Sequence, residues 1–213
     1  MVSGVEQPVL FKPYRAEARY GSRVRPPLTD NTCVTTYIAL LRAINLGSHG
    51  KVSMNALRDL LAELGLGNAR TLLNSGNAVF SSDGGSAGDL AARLEKEASA
   101  KLDLRTDFLL RTAAEWDEII GANPFAEEAQ RDPSHLLTVF LKEAPATAAV
   151  DALRKAITGP EAVQAHGRQL YVTYPAGIGT SKLRMPLIER TLGTRGTGRN
   201  WNTLLKLQAL ASG

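Results

Sequence analysis

Ala69-Arg70-Thr71-Leu72-Leu73-Asn74-Ser75-Gly76-Asn77-Ala78-Val79-Phe80-Ser81-Ser82 is the stretch whose reading decides the fold. Residues 69–74 and 77–82 read as two short strands separated by Ser75-Gly76, a pair that suits a tight turn. A helix is predicted on each side of this hairpin. Upstream, Ser53 caps a helix whose Met54, Leu57, Leu60, Leu61 and Leu64 share one face, and Gly65 and Gly67 stop it. Downstream, Ser86 with Asp89 three residues on resembles a capping box, and Leu90, Leu94, Ala98 and Leu102 define the next helix. Outside the helices stand a β-branched, apolar run at 35–41 and a second strand at 105–110. The order is β-α-β-β-α-β, the split-βαβ arrangement of ferredoxin-like domains.

The rest of the chain repeats that order in part. Thr112 and Glu115 form a capping box for a short helix on Trp116, Ile119 and Ile120, closed by Pro124. A loop through Asp132-Pro133 leads to a strand at 136–142, and Thr147 caps a helix on Val150, Leu153, Ala156 and Ile157. Residues 162–165 and 169–174 read as a hairpin around His166-Gly167. A helix over 181–192 follows, with Pro186 near its first turn, where proline is tolerated. Where a fourth strand would stand, residues 194–207 read as a flexible, basic loop entering a helix. Gly196 and Gly198 loosen the backbone, Thr197 or Asn200 caps the first turn, and Trp201, Leu204 and Leu205 follow at helical spacing. The expected fold class is therefore α+β, with two tandem ferredoxin-like units, antiparallel sheets and an added C-terminal helix. Residues 1–32, broken by Pro8, Pro13, Pro26 and Pro27, read as a disordered extension. Residues 33–122 form the first unit with a linking helix, and 123–213 the second unit with the basic C-terminal helix.

Composition sets the outer limits. Hydrophobic residues are 44% and charged residues 22% of 213, ordinary for a globular protein. No run approaches the roughly 20 apolar residues of a membrane helix, so no membrane partner is expected. The start, Met1-Val2-Ser3-Gly4, has neither a basic region nor an apolar block, which speaks against a secretory signal. Cys33 is the single cysteine, so no internal disulfide can form and a cytoplasmic location is expected. Residues 166–213 hold seven basic residues against Glu189 alone, a charge of +6, leaving −2 for the other 165 residues. Basic charge gathered at one end of a chain points to an anionic partner.

Four separated segments carry a resemblance. Leu41-Arg42-Ala43-Ile44-Asn45-Leu46-Gly47, Met54 with Leu57-Arg58, Asn74 through Phe80, and Thr197-Gly198-Arg199-Asn200-Trp201-Asn202-Thr203 with Lys206-Leu207 stand in this order. In order and spacing they are similar to a bacterial family catalogued as domain of unknown function 1697, over roughly residues 35–210. Gly198 departs from that pattern, which favours threonine or serine there. The resemblance implies two compact ferredoxin-like units and carries no established activity.

The candidate binding residues follow from charge and polarity. Arg195, Arg199, Asn200 and Lys206 form one side of a site for a phosphate or carboxylate at a helix start, where unpaired N–H groups and the helix dipole favour anions. Arg42, Asn45, Asn74 and Asn77 are candidates from the first half. Asn45 to Lys51 lacks both glycine-rich phosphate-binding patterns. His49, His135 and His166 are far apart in sequence and outside any ligand-spaced motif, so no metal or cofactor is expected. Tyr37 and Phe80 stand on strands that would carry stacking aromatics in an RNA-binding sheet, yet the signature motif is missing and both read as core. The leading expectation is a non-enzymatic binder of nucleic acid or a nucleotide. An enzyme acting on a small polar metabolite and a structural or oligomerisation module are the alternatives.

Overall fold

The computed structural model describes Met1 and residues 34–42, 53–72 and 76–213; the rest of the expected extension, Asn45 and Asn74 fall outside them. In the first half, β1 (Thr35–Leu41), α1 (Met54–Glu63), β2 (Gly67–Thr71), β3 (Asn77–Ser82), α2 (Ala87–Leu102) and β4 (Phe108–Thr112) follow one another, and α3 (Ala113–Gly121) leaves the last strand directly. After α4 (Ala126–Arg131) the pattern returns as β5 (Leu136–Leu141), α5 (Thr147–Ala156), β6 (Ala162–His166), β7 (Gln169–Thr173), α6 (Met185–Leu192), β8 (Gly196–Asn200) and α7 (Trp201–Ser212). Two four-stranded antiparallel sheets result, with orders β2-β3-β1-β4 and β6-β7-β5-β8. The fold is α+β, with a C-terminal helix.

Alternation along the strands builds three layers of core, because successive side chains point to opposite faces. From β1, Tyr37, Ala39 and Leu41 face Leu57 and Leu61 of α1 and Leu90 and Leu94 of α2. Ile38 and Leu40 face the other way, into a central layer holding Trp116 and Ile119 of α3, Phe140 and Tyr171 of the second sheet, and Trp201, Leu204 and Leu207 of α7. Val139 and Leu141 of β5 point outward to Val150 and Leu153 of α5 and Ile188 of α6. Each fully buried side chain of this size contributes about 1.5–3 kcal/mol. Trp116 stacks on Phe140 at 4.8 Å between centroids and donates its indole N–H to Leu204 O. Tyr171 donates its hydroxyl to Ile119 O at 2.5 Å. Helices α3 and α7 thus sit between the two sheets.

Caps explain several boundaries. Ser53 accepts from Ala56 N and Ser86 from Asp89 N, while Thr112 and Glu115 complete a reciprocal capping box. The hairpin glycines Gly76 and Gly167 hold φ of 70° and 56°, conformations costly for other residues.

The tertiary fold corrects several local expectations. Helix α5 begins after Ala146 with no side-chain cap, so Thr147 is its first residue. Helix α6 covers Met185–Leu192 and not 181–184, with proline in its first turn. Strand β4 starts at Phe108, and the segment read as a loop before Asp132 contains α4. The largest change lies at 194–200. Gly196–Asn200 is the fourth strand of the second sheet, paired with β5, and the helix starts only at Trp201. Its glycines serve close packing and not unusual backbone angles, since neither has positive φ. A Cβ on Gly196 would lie 2.8 Å from Phe140 O, and one on Gly198 2.8 Å from Leu137 Cδ2.

Candidate functional site

Arg199 precedes the cap of α7, and its place in β8 sends its side chain into the contact with the first sheet. It is 8% exposed. Nε donates to Asn77 Oδ1 at 2.5 Å, Nη1 to Thr197 Oγ1 at 2.7 Å, and Nη2 to Leu41 O and Gly76 O at 3.1 and 3.3 Å. Asn77 is fully buried and donates its own amide to Leu72 O. Burial pushes the Arg199 pKa down to about 10, still leaving a cation at neutral pH. Of the sequence candidates, these two come together most closely, and they hold one another.

Arg111 occupies the corresponding place in the first half, before the cap of α3. It is 2% exposed, and Nη2 donates to Leu141 O and Arg168 O at 3.0 and 3.2 Å. Leu141 ends β5 as Leu41 ends β1, and Arg168 precedes β7 as Gly76 precedes β3. Even the supporting bonds correspond: Leu41 N donates to Gly76 O and Leu141 N to Arg168 O, both at 2.8 Å. Such reciprocal contacts are what an approximate twofold relation requires. Burial, with help from Arg168, pushes Arg111 down to about 10, and its guanidinium carbon lies 5.9 Å above the Phe140 ring. Nothing beside Arg111 in the sequence marks it as buried. The visible signal was an arginine followed by a capping residue at both strand–helix junctions, Arg111-Thr112 and Arg199-Asn200.

A charged cluster completes the contact. Asp107 has a side chain only 8% exposed; it accepts from Lys142 Nζ at 3.0 Å and from Arg195 Nη1 at 3.2 and 3.1 Å through its two oxygens, with Arg42 Nη1 4.0 Å away. Burial acts to raise the Asp107 carboxyl, but Lys142 and Arg195 overcome it and hold the group below the usual carboxylate range. Glu189 accepts from Arg42 Nε and Nη2 at 2.8 and 2.9 Å and from Gly196 N at 2.8 Å. Burial again acts to raise it, and Arg42 and the Gly196 N–H bring it lower on balance. Glu95 repeats the design, accepting from Phe108 N at 3.1 Å and Lys142 Nζ at 3.4 Å. The hydrogen bond to Glu189 raises the Arg42 pKa and that to Asp107 raises Lys142. Above the cluster lies an open cavity of ≈ 400 Å³ lined by Arg42, Glu95, Ser99, Arg105, Thr106, Asp107 and Arg195.

Residues 34–171 match the model of a family described as protein of unknown function (DUF1697). The chain belongs to this family. No curated protein matches it significantly. Among solved structures, the conserved bacterial protein SP0830 from Streptococcus pneumoniae shares the fold, with a TM-score of 0.67 and 23% identity over 84% of this chain and 99% of that one.

The remaining candidates of this DUF1697 protein lie apart from the cluster or have other duties. Asn200 caps α7, accepting from Thr203 N at 3.1 Å. Lys206 is exposed on α7, and Trp201 packs in the central core at 6% exposure. Arg42 and Arg195 meet at Asp107, and Arg105, which local sequence does not single out, lines the cavity beside them. Tyr37 and Phe80 stack at 5.7 Å and are buried, in line with their reading as core. Among the described residues no group of histidine, cysteine and carboxylates could hold a metal, and no helix is long and apolar enough to cross a membrane.

Proposed function

We propose that the protein is a non-enzymatic binder of a small phosphate-bearing anion, held in the cavity above Asp107. The observation that supports this is the convergence of guanidinium groups with unused donors. Arg105 is exposed and has no hydrogen-bond partner among the described residues. Arg195 engages only Nη1 there and keeps 67% of its side chain exposed. Arg42 uses Nε and Nη2 on Glu189 and leaves Nη1 beyond hydrogen-bond range of Asp107. Guanidinium forks match phosphate oxygens in pairs, so three around one cavity favour such a group.

A small ligand suits the place better than nucleic acid, because the buried Tyr37–Phe80 stack offers no platform for bases. Inorganic phosphate and a nucleoside diphosphate, titrated by calorimetry at low and moderate salt, test the reading. Binding should weaken with salt and fall about tenfold in Arg105→Ala and Arg195→Ala. Failure of both probes to bind at low salt would remove it.

A further inference from the structure

The approximate twofold relation exposes a difference between two corresponding carboxylates. Glu189 and Glu95 each accept the N–H of the first residue of an edge strand, Gly196 and Phe108, and each pairs with a cation from the opposite half. Glu189 is filled, because Arg42 takes both of its oxygens. Glu95 is not. Lys142 and the Phe108 N–H share its Oε1, and Oε2 has no partner among the described residues. Glu95 lines the same cavity as Arg42, Arg105 and Arg195, with 29% of its side chain exposed. Lys142 and Arg195 engage both oxygens of Asp107, which leaves Glu95 Oε2 as the unengaged carboxylate oxygen of this cavity among the described residues.

We infer that the ligand is a small zwitterion: its anionic group lies against Arg105, Arg195 and Arg42, and an ammonium group donates to Glu95 Oε2. This rests on the anion-binding reading above and adds the second charge. A plain anion would face an open carboxylate in the same cavity, which repels it. An attached ammonium turns that repulsion into a charge-assisted hydrogen bond.

Phosphoethanolamine and ethyl phosphate differ in that ammonium and make a matched pair for calorimetric titration into the full-length protein. The wild type should bind phosphoethanolamine about tenfold or more tightly than ethyl phosphate, the difference expected of one hydrogen bond between charged groups. Glu95→Gln keeps an oxygen for the Phe108 N–H and should bring the two affinities within about twofold, without weakening ethyl phosphate. Equal binding of the two compounds by the wild type would overturn the zwitterion and leave the anion site standing. A preference that survives Glu95→Gln would overturn the role of Glu95. If neither compound binds, the inference and the site fall together.

Discussion

The Nε of Arg199 donates to the Oδ1 of Asn77 at 2.5 Å, joining residues 122 positions apart and tying the last strand of one sheet to the first residue of a hairpin strand in the other. Both partners are buried, and Arg199 also holds the carbonyls of Leu41 and Gly76. The pair is structural glue between the halves, and the charge gathered near the C-terminus is partly drawn inward by it.

Removing that guanidinium strands acceptors in the interior. Arg199→Ala should cost about 3 kcal/mol or more, since each buried group left unpaired costs about 1–3 kcal/mol. Arg199→Lys should recover only part, because an ammonium cannot reproduce the planar fork. Urea unfolding measures both. Ethyl phosphate affinity should not change in a folded Arg199→Lys, since Arg199 does not line the cavity.

Acid should loosen the contact between the halves. Asp107 and Glu189 have carboxyl pKa values below their ordinary ones in the folded protein. Groups of that kind stabilise the fold above the unfolded carboxylate value, about 4, and lose the contribution as pH falls through the folded value. Urea midpoints should therefore drop between pH 7 and pH below about 4. Asp107→Asn with Glu189→Gln should be less stable at neutral pH and show a shallower acid dependence. A double variant as acid-sensitive as the wild type would argue against this origin.

The two glycines of β8 should differ in tolerance. Alanine at Gly196 places its Cβ against the Phe140 carbonyl, which the β5–β8 ladder holds in place. Overpacking of that kind costs about 1–3 kcal/mol. Alanine or serine at Gly198 meets the end of the Leu137 side chain, which is only half-buried and can turn away. Gly198→Ser should thus cost less than Gly196→Ala in thermal melts.

Arg105 separates binding from folding. Being exposed and without a partner among the described residues, it should change stability by no more than about 0.5 kcal/mol when replaced by alanine. Its phosphate affinity should nonetheless fall.

Local chemistry in the sequence determined most of the elements. The Ser53, Ser86 and Thr112 caps, the β-branched, apolar run of β1 and the Gly76 turn carry their information within a few residues, so the α+β order was readable from them. What lay beyond reach depends on partners distant in the chain. Gly196 and Gly198 read as loop residues because nothing beside them in sequence reveals the β5 strand against which a side chain would clash. Arg199 and Asn77 read as ligand contacts because a buried arginine and a solvent-facing one look alike until the other half of the fold is in place. Arg105, Arg111 and Glu95 look ordinary in their local sequence, since their roles arise where the two halves meet across an approximate twofold. A charge takes its meaning from its surroundings, and only the packed tertiary structure decides which charges are sealed between the halves and which still face a ligand.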